Sequence, residues 1–212
     1  MNEHSFSMPG HAAARRRPDP APLAKRDAIL RAATDVFAER GFFHAQVADV
    51  ARTAGVAAGT VYLYFRSKDD LLASIFERAM AEAFEEGRAA LSGVSDPCER
   101  LRQFARLHLA RLGGDRNLAI VFQVELRQSV KFMERLSSTL LRDYLGQIRS
   151  ALVDGQRTGV FRADINATAA AKMFFGALDE MATNWILSRR RYSLEEDADQ
   201  VVDLFLTGAL RR

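Results

Sequence analysis

The sequence predicts an all-α fold. Apolar residues recur at helical spacing along most of its 212 residues, and no stretch alternates with period two over a strand's length. The 5 prolines and 13 glycines leave room for long helices. With 48% hydrophobic and 27% charged residues the chain can bury a sizeable core, which excludes disorder as the overall state. Charges interrupt each apolar run before the roughly 18 residues that a membrane span needs, so no membrane association is expected. Cys98 is the only cysteine, which excludes an intrachain disulfide scaffold and a four-cysteine zinc site.

Taken in order, residues 1–24 read as a flexible arm, because Pro18, Pro20 and Pro22 each lack an N–H and disfavour helical geometry in the residue before. Arg15, Arg16 and Arg17 can lie along phosphates or enter a minor groove, or simply keep the arm solvated. The arm has no apolar core of the length a secretory signal needs, and a cytoplasmic protein is expected. Ile29, Leu30, Ala33 and Phe37 place a first helix over about 25–40, ended by Gly41. Val47, Val50, Ala51 and Ala54 follow the i, i+3, i+4, i+7 pattern of a short second helix, and Gly55 turns the chain into a third over about 58–64. Ser67 with Asp70 resembles a capping box, and Leu71, Leu72, Ile75, Phe76, Ala79, Met80 and Ala83 carry a long fourth helix. Further helices are expected over 97–112, 115–129, 131–157, 167–190 and 194–210.

Charge is uneven. Residues 1–68 hold 10 Lys/Arg against 6 Asp/Glu, net +4; residues 69–212 hold 20 against 21, net −1, together the +3 of the whole chain. A basic end on a near-neutral body suits a polyanion contacted by that end. Residues 46–68 supply the matching pattern, two short helices joined by a glycine turn, which is a helix-turn-helix. Ala51 and Ala54 let the two helices approach, and Gly55 supplies the conformational freedom of the turn. The start of the third helix offers Ala57, Ala58, Gly59, Thr60, Tyr62, Leu63 and Tyr64 to base edges and phosphates. Gln46 and Val47 open the second helix beside them, and Lys68 begins the fourth helix, where an anion is favoured. Val61 and Phe65 read as core.

The run from Ala54 to Leu71, AGVAAGTVYLYFRSKDDL, resembles the signature of TetR-type transcriptional regulators, and Ile29, Ala32, Phe37, Gly41 and Phe42 are similar to that family's first helix. The resemblance covers about residues 25–72; beyond it only the helical layout matches. It implies a homodimer, a DNA-binding domain at 25–70 and a domain at 71–212 that binds a small molecule and dimerises, with ligand binding releasing DNA from a palindromic operator. Two departures stand out. Ala45 and Gln46 occupy positions where the family often has Thr or Ser, and glutamine is a poorer cap. Ala57 and Ala58 stand where it often has Ser and Lys, so base reading is expected to depend on Thr60, Tyr62 and apolar contacts, including thymine methyls.

In the later region, Met173, Ala177, Met181, Val201, Leu204, Phe205 and Gly208, with Gly176, form stripes on the last two helices. In the resembled family those helices pair across a twofold axis, and the small residues allow close contact. Phe104, Leu107, His108, Leu112, Phe122, Leu126, Phe132, Met133, Leu136, Leu140 and Tyr144, with Phe174, Phe175 and Trp185, either fill a core or enclose an apolar cavity. Gln123, Glu125, Arg127, His108 and Asn184 are the polar candidates within it. The run Val124-Glu125-Leu126-Arg127-Gln128-Ser129, with Gly55 to Thr60, is similar to the TetR-type regulators of fatty-acid degradation, which bind long-chain acyl-CoA. That resemblance implies an acyl-CoA effector, with Arg106, Arg127 or Lys131 available to the coenzyme's phosphates.

An enzyme is not expected. The sequence has no phosphate-cradling loop, no G-x-S-x-G elbow and no H-E-x-x-H, and its histidines (His4, His11, His44 and His108) have no metal-pair spacing. Neither a cofactor nor a metal is expected, and Cys98 reads as inert. The expected partners are double-stranded operator DNA, a second copy of the chain and a small-molecule effector. A helical interaction protein or ligand carrier without DNA binding is the alternative.

Overall fold

The computed structural model describes residues 22–128, 139–190 and 192–210. Nine α-helices account for most of them. In chain order α1 is Pro22–Arg40, α2 Val47–Ala54, α3 Ala58–Tyr64, α4 Lys68–Leu91 and α5 Pro97–Gly114. After these come α6, Arg116–Ile120, α7, Leu140–Arg157, α8, Ala167–Leu187, and α9, Asp197–Ala209, which follows a 3-10 turn at Leu194–Glu196. The described residues contain no strand, only one antiparallel bridge between Phe161 and Leu210.

The arm and the first helix divide differently from the sequence reading. Pro22 does not block α1 but begins it, because the first turn of a helix has N–H groups without intrahelical partners and loses nothing by a proline there. Residues 1–21, with Arg15, Arg16 and Arg17, lie outside the described residues.

The N-terminal helices hold together through packing. Neither α2 nor α3 is long enough to be stable alone. Ile29, Leu30, Ala33 and Phe37 of α1, Val50 and Ala51 of α2, Val61 of α3, Phe65, and Leu71 and Leu72 of α4 are buried together. Gly41 and Gly55 end α1 and α2 at φ +75° and +69°, where a side chain would be strained. The Ser67 hydroxyl caps α4 by accepting from the N–H of Asp70 at 3.1 Å.

Helix α4 runs from this unit into the second, so both halves share one core. There α5 packs against α4, α7, α8 and α9, and Leu101, Leu109, Ile148, Leu152, Phe161, Phe174 and Leu178 are fully buried.

The helix expected over 115–129 changes form. Asp115 caps it, accepting from the N–H of Leu118 at 2.9 Å. It runs as α6, widens to a π turn at Val121–Glu125 and tightens to a 3-10 turn at Leu126–Gln128. Gln123 and Glu125 are both buried, but towards different neighbours: Gln123 bonds to Asp179 and Glu125 to the backbone N–H of Phe42. Helix 131–157 is described from Leu140; Lys131, Phe132, Met133 and Leu136 lie outside the described residues.

Candidate nucleic-acid interface and internal cavity

The candidate reading surface lies on α3. Val61 is fully buried and anchors the helix, while Ala57, Ala58, Gly59, Tyr62 and Leu63 face outward, Leu63 with 83% of its surface exposed. Thr60 and Tyr64 are half-buried. Helix α3 carries no charged residue. Val47 packs against the core, so only Gln46 of the two candidates on α2 is exposed. Gln46 and Asp49 face each other as a capping box at the start of α2: the Asp49 carboxylate accepts from the Gln46 backbone N–H at 3.2 Å, and it is also paired with Arg40 and Arg52. That backbone N–H, with the two arginines, holds the Asp49 carboxyl below its ordinary range.

Lys68 has a different occupation from the expected one. Its ammonium donates to the carbonyls of Phe42, Phe43 and Ala45 at 2.7, 3.1 and 3.0 Å and sits 4.7 Å from the centre of the Phe42 ring. All three N–H bonds of the ammonium are thereby taken by the loop that leads into α2. In this structure Lys68 pins that loop.

Between α4, α5, α6 with its π turn, α7 and α8 lies a cavity of about 200 Å³. Eight of the expected residues line it: His108, Leu112, Phe122, Gln123, Leu126, Arg127, Tyr144 and Phe175. Leu107 does not, nor do four others. Phe104 lies behind Tyr144, ring centres 4.9 Å apart, and Phe174 packs on Phe205 at 4.8 Å. Trp185 lies beneath Arg116 and donates its indole N–H to the Tyr192 carbonyl at 3.0 Å, and Leu140 packs on the core at the start of α7. The sequence reading missed the wall formed by Phe76, Ala79, Met80 and Ala83 of α4, and also Asp179. Of the other polar candidates, Glu125 bonds to the backbone N–H of Phe42, Asn184 is exposed and bonded to Glu180, and Arg106 is paired with Asp199.

The polar wall is internally matched. The Asp179 carboxylate accepts from the Gln123 amide at 2.5 Å and from Arg127, and the Thr183 hydroxyl donates to Gln123 at 3.1 Å. His108 Nδ1 lies 3.1 Å from the Tyr144 hydroxyl, and its Nε2 is buried without a hydrogen-bond partner. Burial lowers the His108 pKa to about 4, opposed by the charge of Asp179, so the ring is neutral at pH 7. Burial likewise raises the Tyr144 hydroxyl above its ordinary value.

Residues 29–75 match the model of the bacterial regulatory proteins of the tetR family, and residues 76–208 that of the YsiA-like protein C-terminal region. The chain belongs to the TetR family. It is 35% identical over 180 residues to the fatty acid metabolism regulator protein of Bacillus subtilis, covering 85% of this chain and 93% of that one. Two solved structures are similar in fold. The fatty acid degradation regulator FadR of Bacillus halodurans is 36% identical, with a TM-score of 0.83 over 91% of this chain and 98% of its own. FadR of Bacillus subtilis, solved in complex with stearoyl-CoA, is 34% identical, with a TM-score of 0.82 over 86% and 98%.

This TetR-family chain is therefore a DNA-binding transcriptional regulator and not an enzyme. Regulators of this family bind their operators as dimers. On the last two helices Met173 and Leu204 are 72% and 71% exposed, beside the exposed Gly176, Ala177 and Gly208. Met181, Val201 and Phe205, also expected on that face, are partly buried against the chain's own core. Helical phase explains the split, since neighbouring apolar positions on one helix point to different sides. Among the described residues no three His, Cys, Asp or Glu are grouped so as to hold a metal ion, and no helix is long and apolar enough to cross a membrane. Burial, together with Asp96, raises the Cys98 thiol above its ordinary pKa, which leaves it weakly nucleophilic.

Proposed function

We propose that this regulator represses transcription as a homodimer on a palindromic operator in the cytoplasm, and that long-chain acyl-CoA held in the internal cavity releases it. The cavity carries this reading: an apolar chamber of Phe76, Met80, Leu112, Phe122, Leu126 and Phe175, with polar groups on one wall, suits a fatty-acyl chain with a polar head. The likeness to a FadR solved with stearoyl-CoA supports it. Residues 25–70 form the DNA-binding domain, with Gln46, Ala57, Ala58, Gly59, Thr60, Tyr62 and Leu63 meeting the duplex. Residues 71–212 form the effector and dimer domain, where Met173, Ala177, Leu204 and Gly208 meet the second copy. The residues ahead of α1, basic at Arg15 to Arg17, serve as an arm.

The test is fluorescence anisotropy on a duplex from the gene's own promoter, titrated with stearoyl-CoA, shorter acyl-CoAs and free coenzyme A. Release by acyl-CoA, with thermal stabilisation of the protein, and no response to coenzyme A are expected. No stabilisation and no release at any chain length would remove the acyl-CoA effector from the scheme.

A further inference from the structure

The polar groups around the cavity differ in one respect. Gln123, Asp179, Thr183 and Arg127 satisfy one another, and Arg111 is paired with Glu82 and Glu86 on the outer side. Among the described residues only three buried side chains keep a polar atom without a partner, and of these His108 alone lines the cavity. An unmatched buried N–H costs a protein free energy unless something completes it.

The neighbours of His108 fix what that atom presents. The Tyr144 hydroxyl has one proton to donate, and its hydrogen-bond contact is His108 Nδ1. If Tyr144 donates to Nδ1, both groups are used and the ring proton resides on Nε2. If Nδ1 donates instead, the tyrosine proton and Nε2 are both stranded. The first arrangement satisfies more groups and leaves a single N–H. Phe104, stacked beside the imidazole, and Phe175, edge-on at 5.3 Å, hold the ring in place.

We infer that His108 Nε2–H is the polar anchor of the effector, donating a hydrogen bond to the carbonyl oxygen of a fatty-acyl thioester whose chain fills the apolar part of the cavity. The inference rests on the acyl-CoA reading above and adds to it which atom recognises the ligand. Chain length is then measured by the apolar walls, and the thioester by one imidazole. Tyr144 acts as a positioning residue, holding the tautomer.

The decisive probe is a pair of ligands of equal length, an acyl-CoA and the S-alkyl-CoA thioether in which the carbonyl is a methylene. Wild-type protein binds the acyl-CoA about tenfold more tightly in calorimetry. In His108→Phe the ratio falls to about 1, and in Tyr144→Phe it lies between, whatever either change does to thermal stability. A structural role alone would weaken both ligands together and leave the ratio intact. The wild-type comparison needs no variant, so it decides even if His108→Phe does not fold. Equal binding of both ligands by the wild type, or a wild-type ratio in folded His108→Phe, overturns the anchor while leaving the acyl-CoA reading in place. Binding of neither ligand overturns the acyl-CoA reading and the anchor with it.

Discussion

The carboxylate of Glu125 accepts a hydrogen bond at 2.6 Å from the backbone N–H of Phe42, 83 residues earlier in the chain. Glu125 ends the π turn whose Phe122 and Gln123 line the cavity, and Phe42 begins the loop that leads into α2. One buried bond thus joins the cavity wall to the DNA-reading unit. Glu125→Ala removes the acceptor of a buried N–H, and a loss of about 1–3 kcal/mol is expected, read as a lower denaturation midpoint at fixed protein concentration. Glu125→Gln retains a carbonyl oxygen and recovers part of the loss. Glu125→Ala also shrinks the factor by which acyl-CoA weakens operator binding, because coupling between two sites requires a physical connection that both bias. An unchanged midpoint and an unchanged factor would mean that the bond carries nothing.

Lys68→Met separates two roles for one cation. The substitution keeps the aliphatic stem and removes three bonds to the carbonyls of Phe42, Phe43 and Ala45. Hydrogen bonds from a charged donor are each worth about 1.5–3 kcal/mol, and partial exposure and repacking of the loop reduce the sum. A clear drop in the denaturation midpoint of DNA-free protein is expected, with operator affinity falling alongside. A normal midpoint with weakened DNA binding would instead restore the phosphate contact read from the sequence.

The same residue shows where a sequence stops being informative. The helix-turn-helix is legible because its signals are local: the periodic positions of α1 and α2, the turn at Gly55, and Ser67 three residues before the N–H it caps. Lys68 bonds to carbonyls 23 to 26 residues away, and nothing in its own neighbourhood announces that. In the second half, periodicity finds the helices but does not say which neighbour each apolar stripe meets. His108, Phe122 and Tyr144 reach the cavity, while Phe104 and Phe174, equally aromatic and equally helical, pack behind it. Phe76 and Met80 read as ordinary core on α4 yet form a wall. The π turn at Val121–Glu125 has no sequence mark that single-chain patterning can use.

Gly155 sets the distance between the end of α7 and the segment that follows. A Cβ placed there would lie 2.1 Å from Cδ2 of Phe161, whose ring is buried. Gly155→Ala is therefore expected to destabilise by about 1–3 kcal/mol, as overpacking of a filled core does. Phe161→Leu, which shortens the opposing side chain, recovers part of that loss when the two are combined. A double-mutant cycle by urea denaturation measures the coupling, and strictly additive effects would argue against the clash.

Operator reading is expected to depend on uncharged contacts, since α3 has no charged side chain. Tyr62→Ala and Leu63→Ala each lower the ratio of specific to non-specific binding about tenfold, in the range of about 1–3 kcal/mol for a lost base contact. The slope of log affinity against log salt stays close to that of the wild type, because neither side chain neutralises a phosphate. Unchanged specificity in both variants would move base reading away from α3.

His108 also predicts how the protein responds to acid. Burial lowers its pKa from 6.5 to about 4 in the folded state, so the unfolded chain binds the proton more readily than the folded one. The stabilisation that follows from a neutral His108 is complete above pH 6.5 and is lost as the pH falls from 6.5 towards about 4. Across that window the slope reaches about 1.4 kcal/mol per pH unit for a single group. The Tyr144 hydroxyl faces the ring and stays protonated throughout, and the Asp179 carboxylate favours the imidazolium, which moderates the loss. In His108→Phe this component is absent, and its denaturation midpoint should decline less steeply between pH 6.5 and 4.5 than that of the wild type. Parallel declines would show that His108 does not titrate differently on folding, and the neutral donor at the cavity wall would lose its physical basis.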